Sequence, residues 1–261
     1  DPITRRKAAK ALGKGLGANV RLFSLVTNTL AKDKAIEDSW RHYSRPVSAR
    51  NLANQVEDEV VDALVGSVRD SFPKLSHRYY RLKAKWFGVE KLNYWDRNAP
   101  LPEDSGRHYT WEEARSLVQG AYGRFSPDLA DIVERFFKGR WIDAALRPGK
   151  NSGAFSHSTV PSVHPYILMN FHGKARDVAT LAHELGHGVH QVLAGPRGTL
   201  MADTPLTLAE TASVFGEMLA FRAILDGETN PTRRRILLAG KVEDMLGTVV
   251  RQTAFHEFER R

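Results

Sequence analysis

The chain has 261 residues, of which 42% are hydrophobic and 26% are charged, and its formal net charge is +8. No apolar run is long enough to span a membrane, and the basic residues are dispersed among acids, so we expect neither a membrane nor a nucleic-acid partner. The lack of cysteine excludes disulfides, thiolate metal sites and cysteine nucleophiles, and it fits a reducing, cytoplasmic location.

The first ninety or so residues predict helices, because apolar residues recur at every third or fourth position without strand alternation. A long helix over about 55–87 should bend or break at Pro73. Turn-forming residues then dominate 93–106. We therefore predict a helical subdomain at 1–95 and a second subdomain, carrying the chemistry, at 96–261.

The second subdomain also predicts helices, with one interruption. Thr110 and Glu113 form a capping-box pattern at the first helix start. In the interruption, turn residues flank GAFSHSTV and HPYILMNF, the only convincing strands in the sequence. Helical patterns return over 175–193, 206–225 and from Pro231 onward. The predicted fold class is mainly α, with a small β-sheet next to the helix at 175–193.

The helix at 175–193 contains the stretch TLAHELGHGVHQ. His183 and His187 are four residues apart, so both imidazoles project from one helix face and can reach one zinc ion at about 2.0–2.1 Å. Glu184 points about 100° around the helix, where it can reach a water beside the ion. The alternative is a helix whose polar side chains are hydrogen-bonded or solvated. We interpret the motif as one Zn²⁺ per chain with Glu184 as general base.

A third ligand must come from elsewhere in the chain. His190 lies roughly 10 Å along the helix axis from His183, too far to share the ion, and is predicted to support the site or line its pocket. The next helix, in TPLTLAETASVFGEMLAF, presents Glu210 and Glu217 on one face. A Gly/Pro turn lets this helix return beside the first. We predict Glu210 as the third ligand, and Glu217 as the alternative or a supporting residue.

HELGHGVH and LAETASVFGEML resemble the zinc helix and third-ligand helix of the thimet oligopeptidase family of zinc metallopeptidases (M3), most of all its oligoendopeptidase F branch. The resemblance implies a helical zincin-like metallopeptidase fold and hydrolysis of internal bonds in short peptides. It implies His183, His187 and Glu210 as ligands and Glu184 as base. Because members of the family are longer, it also implies an internal catalytic fragment, truncated at its C-terminus, with little activity alone.

The sequence also gives candidate substrate contacts and two alternative functions. The resemblance implies that the predicted strands lie along the substrate cleft, as in the family, so His157, His164 and Tyr166 are candidate peptide-binding residues. The strand over 164–171 is expected to pair with an extended substrate through a free edge. Two alternatives remain: a non-enzymatic basic helical binding module, and another metallohydrolase that uses the same zinc helix with Glu217, Asp203 or another residue as the third ligand.

Overall fold

The computed structural model describes residues 1–101 and 107–260, so part of the predicted connecting segment 93–106 lies outside the described residues. In chain order the α-helices are α1 (Pro2–Ala18), α2 (Val20–Trp40), α3 (Ser48–Ala53), α4 (Asp58–Ser71), α5 (Ser76–Trp86), α6 (Trp111–Phe125), α7 (Pro127–Lys138), α8 (Ala175–Ala194), α9 (Leu206–Gly227), α10 (Pro231–Leu246) and α11 (Gln252–Glu259). The strands are β1 (Ile142–Asp143), β2 (Phe155–His157) and β3 (Tyr166–Leu168). The predicted mainly α class with a small sheet is confirmed.

Local signals in the sequence explain several helix ends. The predicted break at Pro73 is confirmed, since α4 ends at Ser71 and α5 begins at Ser76. The predicted capping box is also present, because Thr110 Oγ1 accepts from the Glu113 N–H at 3.2 Å while Glu113 Oε2 accepts from the Thr110 N–H at 2.7 Å. Within the described ranges, no helix is both long and apolar enough to cross a membrane.

The chain divides into two compact units, Asp1–Asp104 with Leu238–Arg261, and Ser105–Leu237. The subdomains predicted at 1–95 and 96–261 stay a prediction. In the first unit, the fully buried Lys83 donates to the Arg97 carbonyl at 2.7 Å and forms an ion pair with Glu243. Glu243 also accepts from the Tyr79 hydroxyl at 2.7 Å. This buried polar cluster ties α5 to α10.

The sheet has the strand order β1-β3-β2. β1 pairs in parallel with β3, with Ile142 opposite Ile167, and β2 pairs antiparallel with β3, with Ser156 opposite Ile167. The prediction of only two strands is wrong, because β1 has two residues and is too short to show alternation. The prediction of a free edge on the strand over 164–171 is also wrong, because β3 is the central strand and both of its edges are paired.

Glycines let α8 and α9 approach closely in the second unit. A Cβ on Gly186 would lie 2.5 Å from the Ala212 carbonyl oxygen, and one on Gly216 would lie 2.9 Å from the Ala182 carbonyl oxygen. Tyr122 of α6 donates its hydroxyl proton to that same Ala182 oxygen at 2.8 Å. The backbones of the two helices are therefore in direct contact, which fixes how side chains from α8 meet those from α9.

Candidate metal centre

Two imidazoles from α8 form one side of the candidate site. His183 and His187 are one helical turn apart, as their spacing predicts, and their ring centroids are 5.0 Å apart. Both are half-buried, with 26% and 17% of the side chain exposed.

The start of α8 is held by Asp177, whose Oδ2 accepts from the Lys174 and His172 N–H groups at 2.9 and 2.8 Å.

Glu210 of α9 completes a three-residue cluster. Its Oε2 lies 3.2 Å from His183 Nε2 and 3.4 Å from His187 Nε2. The candidate ligand atoms of all three residues lie within 4.8 Å of one another. Ligands at about 2.0–2.1 Å from a tetrahedral zinc ion are themselves about 3.3 Å apart. The donor types and the spacing therefore fit an ion of this size.

Glu217 lies on the other side of the His183 ring. Its Oε2 is 3.2 Å from His183 Nδ1, so the two nitrogens of this imidazole face two different carboxylates. A carboxylate on Nδ1 fixes the tautomer and leaves Nε2 as the metal-facing atom. Of the two roles predicted for Glu217, the geometry matches the supporting one.

The electrostatics of the two histidines differ. Burial lowers the pKa of His183, but the hydrogen bond that its ring donates to Glu217 and the charges of Glu184 and Glu210 outweigh burial, so the pKa is raised. Burial lowers the pKa of His187 and outweighs the opposing charge of Glu210. A divalent cation in the cluster would favour the neutral, metal-binding form of both rings.

Glu184 is almost fully buried in α8, with 6% of its surface exposed. Burial raises the pKa of its carboxyl to about 7; the neighbouring His183 opposes this rise and the Glu210 charge adds to it. A bound cation would stabilise the carboxylate and lower that pKa. The surroundings of Glu184 therefore bring the pKa of its carboxyl near neutral pH, the range that suits a general base.

The remaining predicted residues lie outside the three-residue cluster. His190 is half-buried on α8, and its charge adds to the lowering of the His187 pKa by burial and by His183. His164 is stacked on Trp141 with ring centroids 4.2 Å apart. It also contacts Tyr166, at 4.4 Å between ring centroids. This places His164 in an aromatic stack.

His157 and Tyr166 are directly opposite each other on β2 and β3. Ser156, the residue before His157, faces α8, because its hydroxyl is 2.8 Å from Gln191 Oε1. Side chains alternate along a strand, so His157 and Tyr166 project from the sheet face away from α8. The structure does not bring them to the histidines of α8, and their role in peptide binding stays a prediction.

One contact at the site received no role in the sequence analysis. The hydroxyl of Ser213, which is fully buried, donates to Glu210 Oε2 at 2.6 Å. The two residues are three apart on α9, so the helical spacing already allowed this pairing. Only the close packing of α9 on α8 shows that the serine is buried at the site.

Known proteins match this sequence along its length. The model of peptidase family M3 matches residues 1–261. The chain is 30% identical over 259 residues to oligopeptidase PepF of Bacillus subtilis, covering 98% of this chain and 38% of that protein. It is 27% identical over 260 residues to group B oligopeptidase PepB of Streptococcus agalactiae, covering 99% of this chain and 43% of that one.

Solved structures share the fold. Oligoendopeptidase-F from Enterococcus faecium aligns with a TM-score of 0.66 and 24% identity, over 99% of this chain and 39% of that one. PZ peptidase A aligns with a TM-score of 0.79 and 18% identity, over 99% and 46%. The chain spans less than half the length of these relatives. The predicted resemblance is confirmed: this chain belongs to the M3 peptidase family.

Proposed function

We propose that the chain carries the metal-binding and proton-transferring residues of a zinc-dependent endopeptidase that hydrolyses internal bonds of short peptides. The observation that carries the proposal is the meeting of His183 Nε2, His187 Nε2 and Glu210 Oε2 at 3.2–3.4 Å. Membership of a peptidase family supports the reaction class. The names of the relatives, oligopeptidase and oligoendopeptidase, support short peptides as substrates.

In this proposal His183, His187 and Glu210 hold one Zn²⁺ per chain, and Glu217 holds the His183 ring in place. When bound, zinc supplies a Lewis acid that polarises a peptide carbonyl and lowers the pKa of water to about 7. Three protein ligands leave a position open, as in catalytic rather than structural zinc sites.

Glu184 performs the proton transfers. Its carboxylate accepts a proton from the water that attacks the scissile carbonyl carbon, and then donates that proton to the leaving amine nitrogen. Its burial keeps bulk water from competing for the proton and strengthens its interactions with charged groups around it.

A peptide substrate would pair with β2 rather than β3. The N–H groups of Ile167 and Met169 bond to the Trp141 and Asp143 carbonyls, at 2.9 Å each, on the β1 side of β3. The backbone N–H and C=O groups of Leu168, which lies between them, therefore face β2. Ser156 is opposite Ile167, so its own backbone groups face away from β3, toward the outer edge of β2. An extended peptide that adds to this edge would share or displace the hydrogen bond that Gln191 Nε2 donates to the Ser156 carbonyl at 3.1 Å.

Zinc content is the first test. The purified 261-residue chain, prepared without chelators or nickel columns, should contain about one zinc ion, as one three-ligand site requires. His183→Ala should lose it, whereas Glu184→Gln should retain it. His157→Ala is the matched control, since His157 lies on the far face of the sheet and should keep the metal. A wild-type chain that takes up no zinc would contradict the proposal.

Because the 261-residue chain is expected to have little activity alone, hydrolysis of an internally quenched peptide is measured on a longer protein that spans the full length of its relatives, and it tests the role of Glu184. We expect Glu184→Gln to lower the rate by at least about 100-fold, the range of general-base contributions, without loss of zinc. A rate that survives this substitution would show that another group takes the proton.

A further inference from the structure

We propose that Ser213 is a positioning residue that holds the Glu210 carboxylate toward His183 and His187. This inference rests on the proposed zinc site. It concerns a side chain that touches neither the ion nor the substrate and acts only through the third ligand.

The first observation is the choice of acceptor. Ser213 Oγ lies 2.6 Å from Glu210 Oε2 and 3.0 Å from the Glu210 backbone carbonyl oxygen. A hydroxyl has one proton to donate, and a hydrogen bond to a charged oxygen is shorter and stronger than one to a neutral oxygen. The carboxylate is therefore the main acceptor. Oε2 is also the oxygen that faces both imidazoles, so the serine orients the atom that would bind the ion.

The second observation is the contrast in exposure between the two residues. The Glu210 side chain is 59% exposed, so packing alone does not restrict it to one rotamer. Ser213 is fully buried, and a Cβ on Gly186 would lie 2.7 Å from the Ser213 Cα. The serine is thus fixed against α8 by a backbone contact. It provides a rigid donor for a ligand that is otherwise free to turn into solvent.

The competing explanation is that the hydroxyl only satisfies its own hydrogen-bonding need inside the helix. Ser76 provides the matched case: it is buried, and its Oγ donates to the Phe72 carbonyl at 3.3 Å, with no carboxylate partner among the residues that the structure describes. Replacing either serine by alanine removes a buried hydroxyl. Only replacement of Ser213 removes a contact to a predicted ligand.

The experiment measures Zn²⁺ affinity by competition with a chromophoric chelator, on the whole chain. We expect Ser213→Ala to weaken zinc binding by about 10–100-fold, the range for loss of groups that orient metal ligands. Ser76→Ala should leave the affinity unchanged. The melting temperature of metal-free S213A should stay close to that of the metal-free wild type, because Glu210 remains free to be hydrated.

A double-mutant cycle separates positioning from a general loss of structure. In a Glu210→Ala background, where the two imidazoles remain as weak ligands, adding Ser213→Ala should cause no further loss of affinity. The same fold loss in both backgrounds would overturn the inference, as would wild-type affinity in S213A. Either result would leave the zinc site itself standing. A wild-type chain that binds no zinc would instead overturn the proposed function, and the inference with it.

Discussion

Gly186→Ala tests whether contact between the backbones of α8 and α9 sets the site. The added Cβ would lie 2.5 Å from the Ala212 carbonyl oxygen and 2.7 Å from the Ser213 Cα. Ordinary contacts of this kind are near 3.5 Å, so the helices must separate by about 1 Å. Both neighbours are backbone atoms, so neither can turn away.

The expected change in the free energy of unfolding of Gly186→Ala combines two opposing effects. Overpacking in a tight core costs about 1–3 kcal/mol, and two backbone contacts place this site at the upper end. Alanine in place of a helical glycine returns about 1 kcal/mol. We expect a net loss of about 2 kcal/mol in the free energy of unfolding. A shift of about 1 Å also exceeds the tolerance of about 0.2 Å in metal–ligand distances, so zinc affinity should fall at least about 10-fold.

Urea unfolding and the zinc competition assay measure the two effects. Gly66→Ala is the control, because Gly66 lies inside α4 and a Cβ there would meet nothing within 4 Å. That variant should gain about 0.5–1 kcal/mol, with unchanged zinc affinity. If G186A gained stability like G66A and kept its affinity for zinc, the backbone contact would not be what sets the site.

Three further experiments test the fold and the site. Glu243→Ala leaves the fully buried Lys83 ammonium without its carboxylate and should destabilise the chain by on the order of 3 kcal/mol in urea unfolding. Lys83→Met removes the charge itself and should cost less. If Lys83→Met cost more than Glu243→Ala, the ion-pair reasoning would be contradicted. Tyr122→Phe removes the hydroxyl that donates to the Ala182 carbonyl and should cost about 1 kcal/mol, so an unchanged unfolding midpoint would show that this bond contributes nothing. Free zinc at 100 times its Kd should stabilise the chain by about 2.7 kcal/mol. Adding a chelator should therefore lower the melting temperature of wild type but not that of H183A, and equal shifts would place the metal elsewhere.

Local patterns in the sequence were enough to predict the helices that carry the site. The spacing of His183 and His187 predicts two imidazoles on one face, and the helix at 175–193 is present as α8. The predicted turn does return α9 beside α8, which brings Glu210 to both rings. These features depend on residues within a few helical turns of each other, where spacing alone fixes direction.

The strands show where local patterns fail. The two-residue β1 carries no alternation, yet its pairing makes β3 the central strand and leaves β1 and β2 as the edge strands. The family resemblance predicts His164 as a substrate contact, and only the structure shows that its ring is stacked on Trp141. Strand order and ring stacking join distant parts of the chain, so no window of sequence contains them.

The sequence by itself determined the chemistry: two imidazoles and a carboxylate on one helix, and further carboxylates on the next. Only the tertiary structure decided which of these side chains meet. In the close packing of Gly186 against Ala212, Glu210 Oε2 faces the Nε2 atoms of both histidines and Glu217 Oε2 faces Nδ1 of His183. Helical periodicity fixes where a side chain points, but which partner it meets depends on how closely two backbones pack.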